Sequence, residues 1–455
     1  MIQRPRLVEL VLIVLAIGTV GVAWLQVVLN AELAQVGTPQ LWEQVKWLVT
    51  LPVMALVGHV VIRRFCPQAD PVLLPVGVML NGLGLVMVRR LDLATAGNSP
   101  VLGDRHIMYT LVGLAAFSVV VALLHDVRVL DKYRYLIGIG AIILLILPLA
   151  PVVGTDLGRG SRIWISLGFM TLQPGEFAKI GLAIFFASFL SEKRALLATP
   201  VARLGPIGVP PLRALLPIAA AWGMSLLVLV YQRDLGLSLL LFGLFVALLY
   251  VATGKPHWVV LGIVLFTGGA YVAWKLFSHV QVRVDIWMDP FADPYGRGWQ
   301  LVQSLFALAS GGLVGTGWGN GSPGWISDAA TDIIFSAIGE ETGLVGTLAM
   351  LLLYLVLVMR GFATALRARD DFSRLLAAGL AFVIGLQVFV IVGGVTKLIP
   401  LTGITLPFVS YGGSSLMANY VMLGLLVAMS AERPPRSKGF KGKSRTFFAL
   451  GKQVP

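Results

Sequence analysis

Residues 283–335 read RVDIWMDPFADPYGRGWQLVQSLFALASGGLVGTGWGNGSPGWISDAATDIIF, and they interrupt a chain that is otherwise one apolar run after another. From 280 to 331 the apolar pattern stops for about fifty residues, a length at which a loop is usually functional or disordered. Its tryptophans, phenylalanines, glycines and Asp-Pro turns argue against disorder. The stretch ends at Thr331-Asp332, at the mouth of a new apolar helix. An ionisable group at such a depth is costly, so it is a functional hypothesis in its own right.

Outward from this stretch, the composition excludes a soluble globular chain: 57% of residues are hydrophobic, 13% are charged and the mean hydropathy is +0.87. A spanning helix needs roughly 17–25 apolar residues, and about twelve such runs are present. They fall near 7–29, 45–62, 72–88, 107–124, 135–153, 174–190, 212–230, 235–251, 258–280, 333–359, 375–395 and 415–429. The expected fold is an all-α polytopic membrane protein with a long structured extracytoplasmic loop. The first run follows Arg4 and Arg6 and is longer than the apolar region of a signal peptide, so it reads as an uncleaved anchor. Cys66 is the single cysteine, which excludes an intramolecular disulfide or a cysteine-rich metal site.

The net charge of +13 invites a nucleic-acid reading, but in a membrane chain the distribution of Lys and Arg decides more. An even number of spans places both termini on one side. That side then holds about 23 of the 35 Lys and Arg and is cytoplasmic by the positive-inside rule. The outer face carries 156–173, the turn at 232–236, the long loop and 397–413. Arg89 and Arg90 run against the bias. The basic tail, 433–455, reads as a disordered cytoplasmic segment able to rest on anionic lipid.

The outer segments hold the unusual residues. Trp164, Trp287, Trp299, Trp318 and Trp325 suit an interfacial aromatic belt or stacking on sugar or isoprenoid. Arg162, Arg283 and Arg297 suit lipid headgroups or bidentate phosphate recognition. Glu176 and Lys179 stand three apart at the start of a span, so they share a face and can pair. They read as support for a site, with a substrate or proton path as the alternative. Asp234 reads as a helix cap. Asp285, Asp289 and Asp293 could hold a cation, but Pro290 and Pro294 favour turns. No histidine lies in a metal-ligand spacing, and no Walker loop or Gly-x-Ser-x-Gly elbow is present. Asp332 fits a helix N-cap and a general base equally well.

Taken together, GSRIWISLGFMTLQPGEFAK (160–179), QRDLG (232–236), DPFADPYGRGWQLVQSLFALASGGLVGTGWG (289–319), TDIIFSAIGEETGLVG (331–346) and IPLTGITLPFVSYGGSS (399–415) resemble the SEDS family (shape, elongation, division and sporulation) in order and over most of the chain. The resemblance implies a peptidoglycan glycosyltransferase. Such proteins polymerise lipid II, an undecaprenyl-pyrophosphate-linked disaccharide-pentapeptide, at the outer face of the bacterial cytoplasmic membrane. They do so during elongation or division, beside a class B penicillin-binding protein. The family's essential aspartate falls on Asp332, its Glu and Lys on Glu176 and Lys179, and its Arg before Trp on Arg162. The matched motifs imply substrate contacts at Arg162, Trp164, Gln173, Asp234, Gln303, Ser410 and Tyr411; Arg283, outside those motifs, joins them as an outer-face cation suited to the pyrophosphate. They imply support from Glu176, Lys179, Glu340 and Glu341. A divalent cation, Mg or Mn, could share the work, although no ligand set is evident and the metal is unknown. No nucleic-acid partner is expected. The alternatives are a lipid II flippase and a non-catalytic scaffold for a transpeptidase. Ile333, Gly175, Arg233 and Trp299 depart from the family's usual Phe, Ser, Pro and Tyr. The spans within 1–70 are additional, as in actinobacterial relatives.

Overall fold

In a bilayer every backbone polar group must be satisfied within its own segment, and this chain meets that demand with helices. The computed structural model describes residues 4–33, 41–94, 102–124, 126–150, 153–155, 162–166, 168, 171–198, 202–204, 207–209, 223, 231, 232 and 234–432. The expected span at 212–230, apart from Gly223, lies outside the described residues, as do Arg233 and the tail at 433–455. The first four long helices are α1 (Arg4–Leu33), α2 (Leu41–Phe65), α3 (Leu73–Ala94) and α4 (Leu102–Leu123). A short α5 (Val129–Lys132) leads into α6 (Arg134–Ile146), which ends in a 3-10 turn. Three two- or three-residue strands, β1 (Gly154–Thr155), β2 (Trp164–Ser166) and β3 (Thr171–Leu172), form an antiparallel sheet before α7 (Gly175–Ala198). A small hairpin, β4 (Ala202–Leu204) and β5 (Ile207–Val209), precedes α8 (Leu235–Thr253) and α9 (His257–Leu276).

The long stretch between the spans has structure of its own: α10 (Ser278–Met288) and α11 (Trp299–Gly311), joined by a 3-10 turn. Here the expected ninth span was too long. It ends at Leu276, and Phe277 takes an extended conformation that separates it from α10. The chain finishes with α12 (Ile334–Leu366), α13 (Asp371–Val395) and α14 (Gly413–Ala431). Among the described residues nine helices are long and apolar enough to cross a membrane. The protein is a multi-pass, all-α membrane protein.

The core sits where α3, α4, α7, α13 and α14 pack together. α9 buries almost nothing beyond Trp258 and Gly262. Its exposed Val260, Ile263, Val264 and Leu265 suit contact with lipid.

Alternate helix ends meet on opposite sides, as successive crossings require. At one end Arg360 Nε donates to Asp70 (2.7 Å), Arg194 to Asp371 (3.0 Å), and the Val127 N–H to Glu432 (3.2 Å). Arg6, read above as a basic flank, is fully buried there. It pairs with Glu9, which also meets His59 Nδ1 (2.7 Å), and it donates to the Ala69 carbonyl. A buried cation of this kind needs such partners. The other end gathers Gln173, Asp234, Asp332 and the segment 396–412.

The orientation expected from the Lys and Arg bias predicts that this second end is external. With Cys66→Ser as background, a membrane-impermeant thiol reagent should label Tyr295→Cys in intact cells. It should label Arg128→Cys only after permeabilisation; the reverse pattern would invert the topology.

Candidate active site

The residues around Asp332 are positioned by two irregular segments that grip each other. The Tyr411 N–H donates to the Ala330 carbonyl (2.7 Å), and the Ser410 hydroxyl donates to the Thr331 carbonyl (2.6 Å). Ser410 Oγ also accepts from the Leu406 N–H (2.8 Å). Among the described residues three non-glycine residues have positive φ: Asp328 (54°), Lys397 (62°) and Phe408 (65°). All three lie in these two segments. Such conformations cost about 1–3 kcal/mol each and persist where the surroundings over-determine them.

Asp332 stands two residues ahead of α12. The cap position is Ile333, whose side chain makes no cap hydrogen bond. Asp332 thus stands one residue before the cap position rather than at it. Asp234, by contrast, does cap α8: its Oδ1 accepts the Leu237 N–H at 2.9 Å.

Arg283, on α10, donates through Nη1 to the Leu401 carbonyl (2.8 Å) and lies within electrostatic reach of Asp234 and Asp332. Burial pulls its guanidinium below the ordinary value, and the two carboxylates oppose that. Burial, then Glu176, pushes the Asp234 carboxyl above its usual range, against the Leu237 N–H, Arg283 and the Gly236 N–H. Gly403 closes the gap. Its φ is +74°, and an added methyl would stand 3.5 Å from Asp332 Oδ2 and 3.6 Å from Arg283 Nη2. The glycine both allows the turn and leaves space between carboxylate and guanidinium.

Beneath this group lies a buried polar chain. Lys179 Nζ donates to Glu176 Oε2 (2.6 Å) and to Gln387 Oε1 (3.0 Å). Gln387 Nε2 donates onward to the Thr405 carbonyl (2.7 Å), and Thr405 Oγ1 bonds Ser415 Oγ (2.7 Å). The Gln173 N–H donates to Ser414 Oγ (2.7 Å), tying the end of the small sheet to the start of α14.

The remaining implied residues are more dispersed. Trp164 is half-buried on β2, and Arg162 is exposed just before it. Among the described residues no hydrogen bond or ion pair joins Arg162 to the Asp332 group. Gln303 is half-buried on α11, beside Ser304, whose hydroxyl reaches Ser336 (2.7 Å) and the Val395 carbonyl (3.0 Å). The Asp-Pro pairs are turns: Asp289 accepts the Phe291 N–H (3.1 Å) and Asp293 the Arg297 N–H (3.0 Å). Trp287 Nε1 donates to the Lys397 carbonyl (3.1 Å), so this indole fastens the two outer segments to each other. Among the described residues no group of three or more His, Cys, Asp or Glu could hold a metal ion.

Two further residues went unnoticed in the sequence. Gln387 was signalled only as a lone amide within an apolar span. Arg105 hydrogen-bonds Tyr411, but sits far from every matched motif.

With this geometry in view, the comparisons with known proteins carry direct meaning. The cell cycle protein family of FtsW, RodA and SpoVE matches residues 71–434. The chain belongs to the SEDS family. It is 47% identical over 407 residues to the peptidoglycan glycosyltransferase RodA of Mycobacterium tuberculosis, covering 87% of this chain and 86% of that one. A solved structure described as structural coordination of polymerization and crosslinking by a peptidoglycan synthase complex superposes with a TM-score of 0.65. The two share 30% identity over 80% of this chain and 97% of the other. The rod shape determining protein RodA of Thermus thermophilus superposes with a TM-score of 0.55 at 29% identity, over 80% and 97% of the two chains. The family match begins just before α3, so α1 and α2 lie outside it.

Two outcomes follow from the buried chain and from Gly403. Lys179→Met should strand the Glu176 carboxylate at about 3–5 kcal/mol, while the Glu176→Gln/Lys179→Met double variant should be no worse than the worse single. A thermal-melting cycle in detergent checks this, and strict additivity would contradict contact. Gly403→Ala should express yet lose most polymerising activity, because alanine is strained at φ +74° and relaxing that strain shifts the turn that abuts Asp332 and Arg283.

Proposed function

We propose that this peptidoglycan glycosyltransferase polymerises lipid II at the outer face of the cytoplasmic membrane by a single inverting displacement, with Asp332 as general base. The observation that carries the reading is the Asp332–Arg283 juxtaposition across Gly403. An acceptor sugar hydroxyl attacks the anomeric carbon of the donor. Its proton passes to the Asp332 carboxylate. The bond from the anomeric carbon to the lipid pyrophosphate breaks, and the electron pair leaves with the pyrophosphate. An α-linked donor then gives a β-linked polymer with one base and no covalent intermediate.

The leaving group gathers negative charge, which fixed cations stabilise. Arg283 adjoins Asp332 and takes that role first. Arg162, exposed beside Trp164, suits contact with the substrate farther out. Lys179 is committed to Glu176 and Gln387, which leaves it as support. A divalent cation, Mg or Mn, would add to the same stabilisation if bound; the charges invoked here are the chain's own. The partner is a class B penicillin-binding protein that cross-links the product, in keeping with the synthase complex that the fold resembles. Both termini are cytoplasmic.

Asp332→Asn separates the roles. It preserves size but cannot take the proton, so polymerisation of lipid II by purified protein should fall by about 10²–10⁴-fold, with expression unchanged. Activity near wild type would remove the base. Arg283→Lys keeps the charge but loses the fork and should cost roughly tenfold or more. Wild-type turnover in that variant would free Arg283 from the leaving group.

A further inference from the structure

Arg90 stood out in the sequence as an outer-face cation against the charge bias, and the proposed mechanism gives it no work. Its surroundings do. Arg90 Nε donates to Glu341 Oε1 (3.1 Å), and Nη2 donates to the carbonyls of Gly319 (3.1 Å) and Gly321 (2.9 Å). Glu341 is 1% exposed, and its Oε2 accepts the Gly319 N–H (3.1 Å). Glu340 Oε1 accepts the Ser322 N–H (2.8 Å). Asn30, near the end of α1, donates to the Trp318 carbonyl (2.6 Å). The segment 316–322 is thus held from two sides: by α1 and α3, and by the first turns of α12.

Those first turns are a separate short piece. α12 breaks at Gly343, where φ is +66°. The freed groups are taken up by the same outer segment: Thr316 and Gly317 N–H donate to the Glu340 and Glu341 carbonyls (3.0 and 2.9 Å), and Leu344 and Val345 N–H to Gly312 and Leu313 (2.9 and 3.1 Å). Asp332 stands at the other end of that half-helix. Whatever fixes residues 334–342 against the bundle also fixes the carboxylate.

We propose that Arg90 is a positioning residue, and that with Asn30 it uses the additional N-terminal helix as an outer-face brace for the half-helix that carries Asp332. The guanidinium fork joins one carboxylate and two carbonyls at once, which an ammonium cannot match. The brace draws on α1, outside the family match, and so belongs to this chain and to relatives with the same N-terminal helices. The inference rests on Asp332 as the base. Arg90 and Asn30 also line an outward-open groove with Trp325, so direct contact with substrate is the competing explanation.

The test uses full-length Arg90→Lys and Asn30→Ala, purified in detergent, with lipid II polymerisation followed to saturation. Both should melt as wild type does, with kcat lowered roughly tenfold by loss of alignment and KM moved by less than about twofold. A raised KM with unchanged kcat would make the groove a substrate contact and overturn the brace. So would wild-type kinetics, or a lower melting temperature with normal kcat per folded molecule. Should Arg90→Lys fail to fold, Asn30→Ala decides alone, since it removes one bond from a helix end. Asp332→Asn tests the base separately: an active Asp332→Asn removes the base, whereas an inactive one beside wild-type Arg90→Lys removes only the brace.

Discussion

A lysine buried to 1% exposure inside an apolar bundle must be fully satisfied, and Lys179 meets that constraint through Glu176 and Gln387. Much else hangs on it. Gln387 is turned so that its amide nitrogen holds the Thr405 carbonyl, which pins the segment 396–412 over the outer end of α13. That segment in turn grips Ala330 and Thr331 by main-chain and hydroxyl bonds. A charge buried in α7 thereby helps to set where Asp332 stands, without touching it.

The half of the molecule around Asp332 obeys a second rule: irregular backbone at membrane depth survives only where protein satisfies it. The break at Gly343 exposes carbonyls and N–H groups that water would otherwise have to meet. The glycine-rich run 311–322 meets them instead, which explains why so many small residues are gathered in one stretch. Glu340 and Glu341 complete the arrangement from the helix side, each accepting a main-chain N–H from that run. Arg90 then answers an anomaly of charge: it sits against the expected bias because a buried carboxylate waits there. Arg89 is likewise occupied, 5.5 Å over the Trp47 ring and 3.9 Å from Asp92.

Much of this was legible in the chain. Apolar runs of spanning length announced the helices, because a bilayer leaves few other solutions. Asp-Pro pairs announced turns, and Asp234 before an apolar run announced a cap. The spacing of Glu176 and Lys179 announced a pair. The boundary at Leu276 was not legible, because Phe277 and Val280 carry the apolar run a few residues past the helix end, and only the extended Phe277 parts α9 from α10. Nor was the burial of Arg6, since a basic residue ahead of a first span ordinarily faces the cytoplasm; Glu9 and the Ala69 carbonyl draw it inside.

The sequence by itself determined the fold class, the order of the apolar membrane segments, and the residues worth suspecting, because hydropathy, turn chemistry and i, i+3 spacing are local properties. It left Asp332 balanced between cap and base. Only the tertiary structure put the cap position at Ile333, brought Arg283 and Gly403 to the carboxylate, left Arg162 exposed, and joined Gln387 to Lys179 and Arg90 to Glu341. These contacts link residues tens to hundreds of positions apart. No local pattern encodes them; they follow from which helices pack together, and from the demand that every buried charge find its partner.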